Sequence, residues 1–137
     1  MNRSELQQIA QLRLKEVEVL LAKRKYSGAY YLSGYVIECA LKACIAKKTR
    51  KSDFPDLKTV QNSYTHDLEK LMRTASLEAE FKQKRGNDSD FADNWRVTIE
   101  WSEASRYEIH GKQKAEAMYE AIVDRNHGVL QWIEQYW

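Results

Sequence analysis

The sequence has few of the residues that interrupt helices or cross-link small domains: its 137 residues include one proline, five glycines and two cysteines. The scarcity of proline and glycine leaves few obligatory turns, which favours long helices. Cys39 and Cys44 are five residues apart on a predicted helix and point in different directions. We therefore expect two small buried hydrophobic side chains and no disulfide.

The common metal and nucleotide motifs are also missing. The three histidines and two cysteines show no CxxC or HExxH spacing, and there is no GxGxxG or Walker sequence. Asp88-Ser89-Asp90 has the spacing of a carboxylate pair for Mg²⁺. It lacks the Gly-Ser that precedes such a pair in nucleotidyltransferases, and we interpret it as a turn and a helix N-cap. We predict no metal and no cofactor.

No stretch of the sequence reaches the roughly 20 consecutive apolar residues that a membrane-spanning helix needs. The chain also begins without a charged and then apolar leader. Its 43% hydrophobic and 11% aromatic content is that of a folded protein, not a disordered one. We predict one helical domain over residues 1–137, located in the cytoplasm and without a membrane partner.

The net charge of +2 is unevenly distributed along the chain. Residues 1–51 hold 11 Lys and Arg against 4 Asp and Glu, a net +7, whereas residues 52–137 hold 11 against 16, a net −5. Such asymmetry is typical of a basic face for nucleic acid, and it is also typical of an ordinary charged helical surface. Both interpretations stay open at this point.

The segment 26–48 is predicted to be the central helix of the fold. It is apolar around most of its circumference, which is typical of a helix buried against several neighbours. Its one polar stripe includes a Glu and a Lys four residues apart, the favoured order for a helical ion pair. Two tyrosines continue the stripe and suit an interface. The predicted interface residues are Tyr31, Tyr35, Glu38 and Lys42.

Helical patterns and caps account for the rest of the chain. Ser4 is predicted to cap a first helix in a capping box, and Thr65 to cap a short helix after a loop that ends at Tyr64. Alternation at 97–101 could indicate a strand, but a single strand has no partner, so we predict a helix. The last long helix is predicted over 112–135. The fold class is all-α, an antiparallel helical bundle of about four to five helices.

Three parts of the sequence resemble HEPN domains. The central helix begins Tyr-Ser-Gly-Ala-Tyr-Tyr and continues with Glu38, Ala40, Leu41, Lys42 and Ala43, as in the second helix of that family. The segment 65–71 is similar to the family's short third helix, and Arg106-Tyr107 precedes a long last helix. The resemblance implies a HEPN-like bundle, often dimeric. Its implied settings are toxin–antitoxin or defence systems, with an antitoxin or a nucleotidyltransferase as a possible protein partner.

Many HEPN proteins look like metal-independent ribonucleases whose arginine and histidine are separated by four to six residues. Here Arg106 and His110 have three residues between them, and Arg125 and His127 have one. An arginine can hold a phosphate in two hydrogen bonds while a histidine moves the proton of the RNA 2′-hydroxyl. Arg106 and His110 are therefore the candidate catalytic residues. The irregular spacing favours a binding module for RNA, a nucleotide or a partner protein. The alternatives are an active ribonuclease and a structural subunit of a larger assembly.

Further cations extend the predicted phosphate site. In a symmetric dimer, Arg106 and His110 of each copy would lie near those of the other, since a two-fold axis pairs each surface patch with itself. His66 follows the predicted cap and is interpreted as structural. The residues predicted to bind RNA or phosphate are Lys47, Lys48, Arg50, Lys51, Arg125 and His127.

Overall fold

The computed structural model describes residues 1–50 and 55–137, and every regular element in these two ranges is helical. The predicted all-α class is confirmed. The elements, in chain order, are α1 (Arg3–Ala22), α2 (Tyr26–Arg50), α3 (Leu57–Ser63), α4 (Leu68–Thr74), α5 (Glu78–Asn87), α6 (Ser89–Ile99), a 3-10 helix η1 (Glu103–Tyr107), α7 (Lys112–Val123) and α8 (Val129–Glu134).

Helix α2 is the centre of the fold, as the sequence predicts. It contacts α1, α4, η1, α7 and α8. Val36, Ala40 and Leu41 are all completely buried. None of the helices in the described part of the chain is long and apolar enough to cross a membrane.

Helix α1 pairs with α2 through a three-residue connection, which makes the two helices antiparallel. The predicted cap at Ser4 is wrong by two residues. The side chain of Asn2 accepts the N–H of Glu5 at 2.9 Å, and the Glu5 carboxylate accepts the N–H of Asn2 at 2.8 Å. Asn2 and Glu5 have the same spacing as the predicted box, so the reciprocal bonds of a capping box form one half-turn earlier.

The segment before Tyr64 is more ordered than predicted. It contains α3, whose N-cap Asp56 accepts the N–H of Thr59 at 2.9 Å. The next helix, α4, is capped by Asp67 and not by Thr65, because the Asp67 carboxylate accepts the N–H of Lys70 at 3.0 Å. The Thr65 hydroxyl accepts the N–H of Asp67 and so lies outside the helix.

The predicted helix over 112–135 is two helices. Asp124 breaks it, because its carboxylate accepts the backbone N–H groups of Asn126 and His127 at 3.0 and 2.8 Å. These bonds build a turn that competes with the helical ladder. Gly128 is the N-cap of α8, and a Cβ there would lie 2.5 Å from the Asp124 carbonyl oxygen.

An aromatic cluster joins the C-terminal helices. Phe81 of α5 packs against Phe91 and Trp95 of α6, and all three rings pack against Trp132 of α8, with ring centroids 4.9 to 6.4 Å apart. Helix α6 includes residues 97–99, which confirms the predicted helix there, whereas Glu100 and Trp101 follow its end.

Candidate functional site

The polar stripe of α2 forms the floor of the candidate site. Glu38 is only 4% exposed, and its two carboxylate oxygens have different partners. Lys42 lies 2.9 Å from one oxygen, as the four-residue spacing predicts. His66, which lies just before α4, places Nδ1 2.8 Å from the other.

His66 is held from both sides. Its Nε2 lies 2.9 Å from a carboxylate oxygen of Glu103 in η1, while its Nδ1 faces Glu38. The imidazole thus connects α2 to η1. It also lines an open cleft of about 500 Å³, together with Trp101, Glu103 and the first residues of α4.

The two tyrosines of the stripe, Tyr31 and Tyr35, contact each other and are covered by Trp101. Their hydroxyl oxygens are 3.1 Å apart, and Tyr35 packs edge-on against Trp101 with centroids 5.2 Å apart. Burial, followed by the hydrogen bond with Tyr31, raises the pKa of Tyr35. The Trp101 indole donates to the carbonyl oxygen of Tyr31 at 3.0 Å. The predicted interface stripe is therefore largely covered by the chain's own residues.

Arg106 extends from η1 at the edge of this stripe. Its guanidinium lies 4.9 Å from the ring centroid of Tyr107, a cation–π distance. Tyr107 and then Tyr31 raise the pKa of Arg106, because both tyrosines lie near its guanidinium. Tyr107 itself is 82% exposed. One surface therefore combines Arg106 and Tyr107 with the Tyr31 end of the stripe, and we call it the Arg106 surface.

His110 does not belong to the Arg106 surface. Its ring packs on Tyr30, with centroids 4.2 Å apart, and its backbone N–H donates to the Ser27 hydroxyl at 2.9 Å. The residue is 7% exposed. Nε2 is 3.2 Å from a Glu108 carboxylate oxygen but is not aligned for a hydrogen bond. The structure thus gives Arg106 and His110 different neighbours, and Tyr30, with its pKa raised to about 12 mainly by burial, lies against the histidine.

The other predicted phosphate-binding residues lie elsewhere. Lys47 and Lys48 are near the end of α2, about 30 Å along the helix from the contact between Ser27 and His110. The Lys48 ammonium donates to the Ser76 hydroxyl at 2.5 Å. Arg125 is exposed in the turn between α7 and α8. Lys51 and the side chain of Arg50 lie outside the described residues. Lys47 and Lys48, at that distance along α2, do not form one compact site with Arg106.

His127 lies in a separate charged cluster at the start of α6. Its Nδ1 is 2.7 Å from a carboxylate oxygen of Asp88, and its Nε2 is 3.6 Å from Asp90. The bond with Asp88 raises the pKa of His127, and the same bond lowers the pKa of Asp88. Asp88 also caps α6, as predicted, and pairs with Lys84 at 3.0 Å. Three possible ligand groups lie within 4.8 Å of one another here. Asp88, however, already has cationic partners.

Comparison of the chain with protein-family models, with curated proteins and with solved structures finds no match.

Two residues of the site, Tyr107 and Glu103, are not among the candidate residues predicted from the sequence. Tyr107 could have been found, since it follows an arginine in a predicted loop, and loops on a rigid scaffold often carry binding residues. Glu103 carries no such signal, because it meets His66 only through the folding of segments 37 residues apart.

Proposed function

We propose that the chain is a HEPN-like binding module that engages single-stranded RNA at the Arg106 surface without cleaving it. The observation that carries the proposal is the position of the Arg106 guanidinium over the exposed ring of Tyr107. A cation beside an exposed aromatic ring matches the two chemical parts of a nucleotide, its phosphate and its base.

Each part of the nucleotide has a specific partner in this proposal. The guanidinium of Arg106 can donate two hydrogen bonds to one phosphate. The open face of Tyr107 can stack on an unpaired base, and such stacking contributes about 1–3 kcal/mol per base without sequence preference. Two residues further on, Ile109 is 96% exposed and adds apolar contact area beside the tyrosine.

The position of His110 supports binding over cleavage. A general base must come within hydrogen-bonding distance of the 2′-hydroxyl that it deprotonates. The His110 ring is buried against Tyr30, whereas Arg106 extends toward Tyr31 and Tyr107. His66 is held between two carboxylates. Neither imidazole is presented to a phosphate that Arg106 would hold.

The resemblance to HEPN domains adds a homodimer to this proposal. Two copies related by a two-fold axis would present two Arg106 surfaces, and both could bind one RNA strand. A toxin–antitoxin or defence system would be the setting, with an antitoxin or a nucleotidyltransferase as the protein partner. This part of the proposal rests on the resemblance alone.

Binding of a fluorescent single-stranded RNA, followed by anisotropy at low salt, tests the proposal. We expect Arg106→Ala and Tyr107→Ala each to weaken binding by about tenfold, since one stacked base or one phosphate contact contributes about 1–3 kcal/mol. The matched controls are Arg96→Ala and Tyr64→Ala, because both side chains are at least 70% exposed and belong to other elements. Equal losses in the controls, or no binding by the unmodified protein, would contradict the proposal.

The integrity of the RNA in the same samples separates binding from catalysis. We expect the RNA to remain intact over hours with the unmodified protein. If instead the RNA is cut, and His110→Ala abolishes the cutting, then the ribonuclease with Arg106 and His110 as its catalytic residues is correct.

A further inference from the structure

His66 lies between two carboxylates that differ in exposure. Its Nδ1 is 2.8 Å from Glu38 and its Nε2 is 2.9 Å from Glu103. Glu38 is nearly buried, whereas the side chain of Glu103 is 45% exposed. A carboxylate only accepts hydrogen bonds, and a neutral imidazole has a proton on one nitrogen only. Both contacts are therefore attractive only when the ring is protonated on both nitrogens.

The loss of one proton from His66 affects the two carboxylates unequally. The Glu38 oxygen that faces Nδ1 lies inside the fold, and Lys42 pairs with the other oxygen. A buried carboxylate oxygen without a donor costs free energy, whereas an exposed carboxylate such as that of Glu103 can bond to water instead. The neutral ring therefore keeps its proton on Nδ1 and turns the lone pair of Nε2 toward Glu103. Glu103 is the carboxylate that the neutral ring releases.

Glu103 has a second cation nearby. Side chains three residues apart lie on the same side of a 3-10 helix, and Glu103 and Arg106 have this spacing in η1. Tyr107 is the main cause of the raised pKa of Arg106, and Glu103 adds to it, because its carboxylate also acts on the guanidinium. The backbone of η1 is fixed independently of the histidine, since the Trp101 indole bonds to α2 and Ser105 is buried. Only the Glu103 side chain has to move to reach Arg106.

We propose that His66 makes RNA binding at the Arg106 surface depend on pH by determining the partner of Glu103. The protonated imidazole holds the Glu103 carboxylate, which leaves the guanidinium of Arg106 to the phosphate. The neutral imidazole releases the carboxylate, which then pairs with Arg106 in competition with the phosphate. The inference rests on the proposed RNA binding and adds its regulation. The affinity for RNA therefore falls as the pH rises and His66 loses its proton.

Other charged and titratable groups also face His66 from the elements packed around it. They are Tyr35, Glu38 and Lys42 of α2, Asp67 and Glu69 at the start of α4, and Glu103 of η1. The Asp67 carboxylate caps α4, and Glu69 lies 3.7 Å from Arg73. Burial, followed by a hydrogen bond with its neighbour on the stripe, raises the pKa of Tyr35, so its hydroxyl stays neutral near neutral pH. Histidine is the side chain whose charge ordinarily changes between pH 5 and 8.

The anisotropy of a fluorescent oligouridine at low and constant salt, measured from about pH 5.5 to about pH 8.5, tests this regulation. We expect the affinity of the unmodified protein to fall about threefold over the range, as is typical of competition by one exposed ion pair. Glu103→Gln should bind with the same high affinity throughout, because an uncharged amide does not compete with phosphate for Arg106.

Variants of His66 separate regulation from damage to the fold. His66→Gln should bind weakly at every pH, because its one amide group is needed at Glu38 and has no charged form. Adding Glu103→Gln to His66→Gln should restore tight binding, which a damaged fold would not allow. Glu69→Gln is the matched control, because its carboxylate is 47% exposed and lines the same cleft. It should keep the pH dependence of the unmodified protein.

The outcomes distinguish the regulation from the proposed function. A pH dependence that persists in Glu103→Gln or in His66→Gln overturns the regulation, and so does an unmodified protein whose affinity is the same at every pH. In both cases, weaker binding by Arg106→Ala would still support the Arg106 surface.

Nuclear magnetic resonance of the Arg106 Nε–H group decides the case in which no RNA binds. A signal that shifts with pH in the unmodified protein, but not in Glu103→Gln, would show that Glu103 exchanges between His66 and Arg106 although the proposed function is wrong. A signal that does not shift would overturn the regulation as well.

Discussion

The Glu38 carboxylate lies 2.8 Å from Nδ1 of His66, a contact between the middle of α2 and the segment that leads into α4. Lys42 neutralises the other carboxylate oxygen from within α2. Glu38 is therefore a nearly buried acid whose two oxygens both have partners, as a carboxylate in such a position requires. Through Glu103, the same histidine connects α2 to η1, the element that carries Arg106.

We expect Glu38→Ala to lower the free energy of unfolding by about 3 kcal/mol, because two hydrogen bonds of a charged group are lost, each contributing about 1.5 kcal/mol. Urea denaturation measures the change. Glu69→Ala is the control, because Glu69 is nearly half exposed and meets Arg73 at only 3.7 Å. Exposed pairs of that kind contribute about 0–1 kcal/mol. A loss in Glu38→Ala no larger than in the control would contradict the importance of the contact.

Gly34 allows Trp101 to approach α2. A Cβ at this position would lie 1.9 Å from an indole carbon of Trp101, so Gly34→Ala must displace the ring and its bond to the Tyr31 carbonyl. We expect a loss of about 1–3 kcal/mol, as is typical of overpacking, together with a change in tryptophan fluorescence.

Gly86→Ala is the matched control for Gly34→Ala. Gly86 also lies in a helix, α5, but a Cβ there would meet no atom within 4 Å. Since alanine is about 1 kcal/mol more favourable than glycine in a helix, this variant should be as stable as the unmodified protein or more so. A similar loss in both variants would show that the approach of Trp101 is not the cause.

The sequence predicted the helical class and the core, because helical periodicity is a local property. α2 shows this most clearly: its apolar circumference identified it as the central helix, and the spacing of Glu38 and Lys42 predicted their ion pair. The errors in α1, α4 and α7 concern the residues that begin or break helices. Each depends on which of several neighbouring polar side chains bonds to the backbone, a choice that periodicity does not determine.

The candidate site was only partly predictable, for a different reason. Arg106 and the tyrosine stripe were singled out, and the structure brings them close together. The pairing of Arg106 with His110 relied on sequence proximity alone. In the fold, the chain after η1 turns His110 inward onto Tyr30 while Arg106 stays at the surface. The contact of His66 with Glu103 forms only when distant segments pack, so no local pattern predicts it.

Salt dependence gives a quantitative prediction for the Arg106 surface. For single strands, the slope of log K against log salt is about −0.7 for each neutralised phosphate. We expect Arg106→Ala to reduce the magnitude of the slope by about 0.7, because it removes one phosphate contact. Tyr107→Ala should weaken binding with little change of slope, since stacking involves no counterion release. RNA titrations at salt concentrations from about 20 to about 200 mM provide the test. Identical slopes for the three proteins would contradict the role of Arg106.

The ion pair between His127 and Asp88 makes stability depend on pH. The pKa of His127 is raised above its ordinary 6.5, so its contribution is complete below pH 6.5 and is lost as the pH rises through the raised value. The pKa of Asp88 is lowered below its ordinary 3.8, so its contribution is complete above pH 3.8 and is lost as the pH falls through the lowered value. The pair therefore stabilises the fold most between pH 3.8 and 6.5.

We expect His127→Gln to be destabilised most at about pH 5 and progressively less above the raised pKa of His127, because only the protonated imidazole pairs with Asp88 as a charge. Urea denaturation at a series of pH values gives the difference in unfolding free energy between the variant and the unmodified protein. Asp124 also faces this cluster, and the backbone N–H groups of His127 and Asn126 lower the pKa of its carboxyl, so its charge does not change between pH 5 and 8. The decline over that range can therefore be assigned to His127. A difference that stays constant from pH 5 to 8, or grows with pH, would show that the imidazole contributes by packing alone.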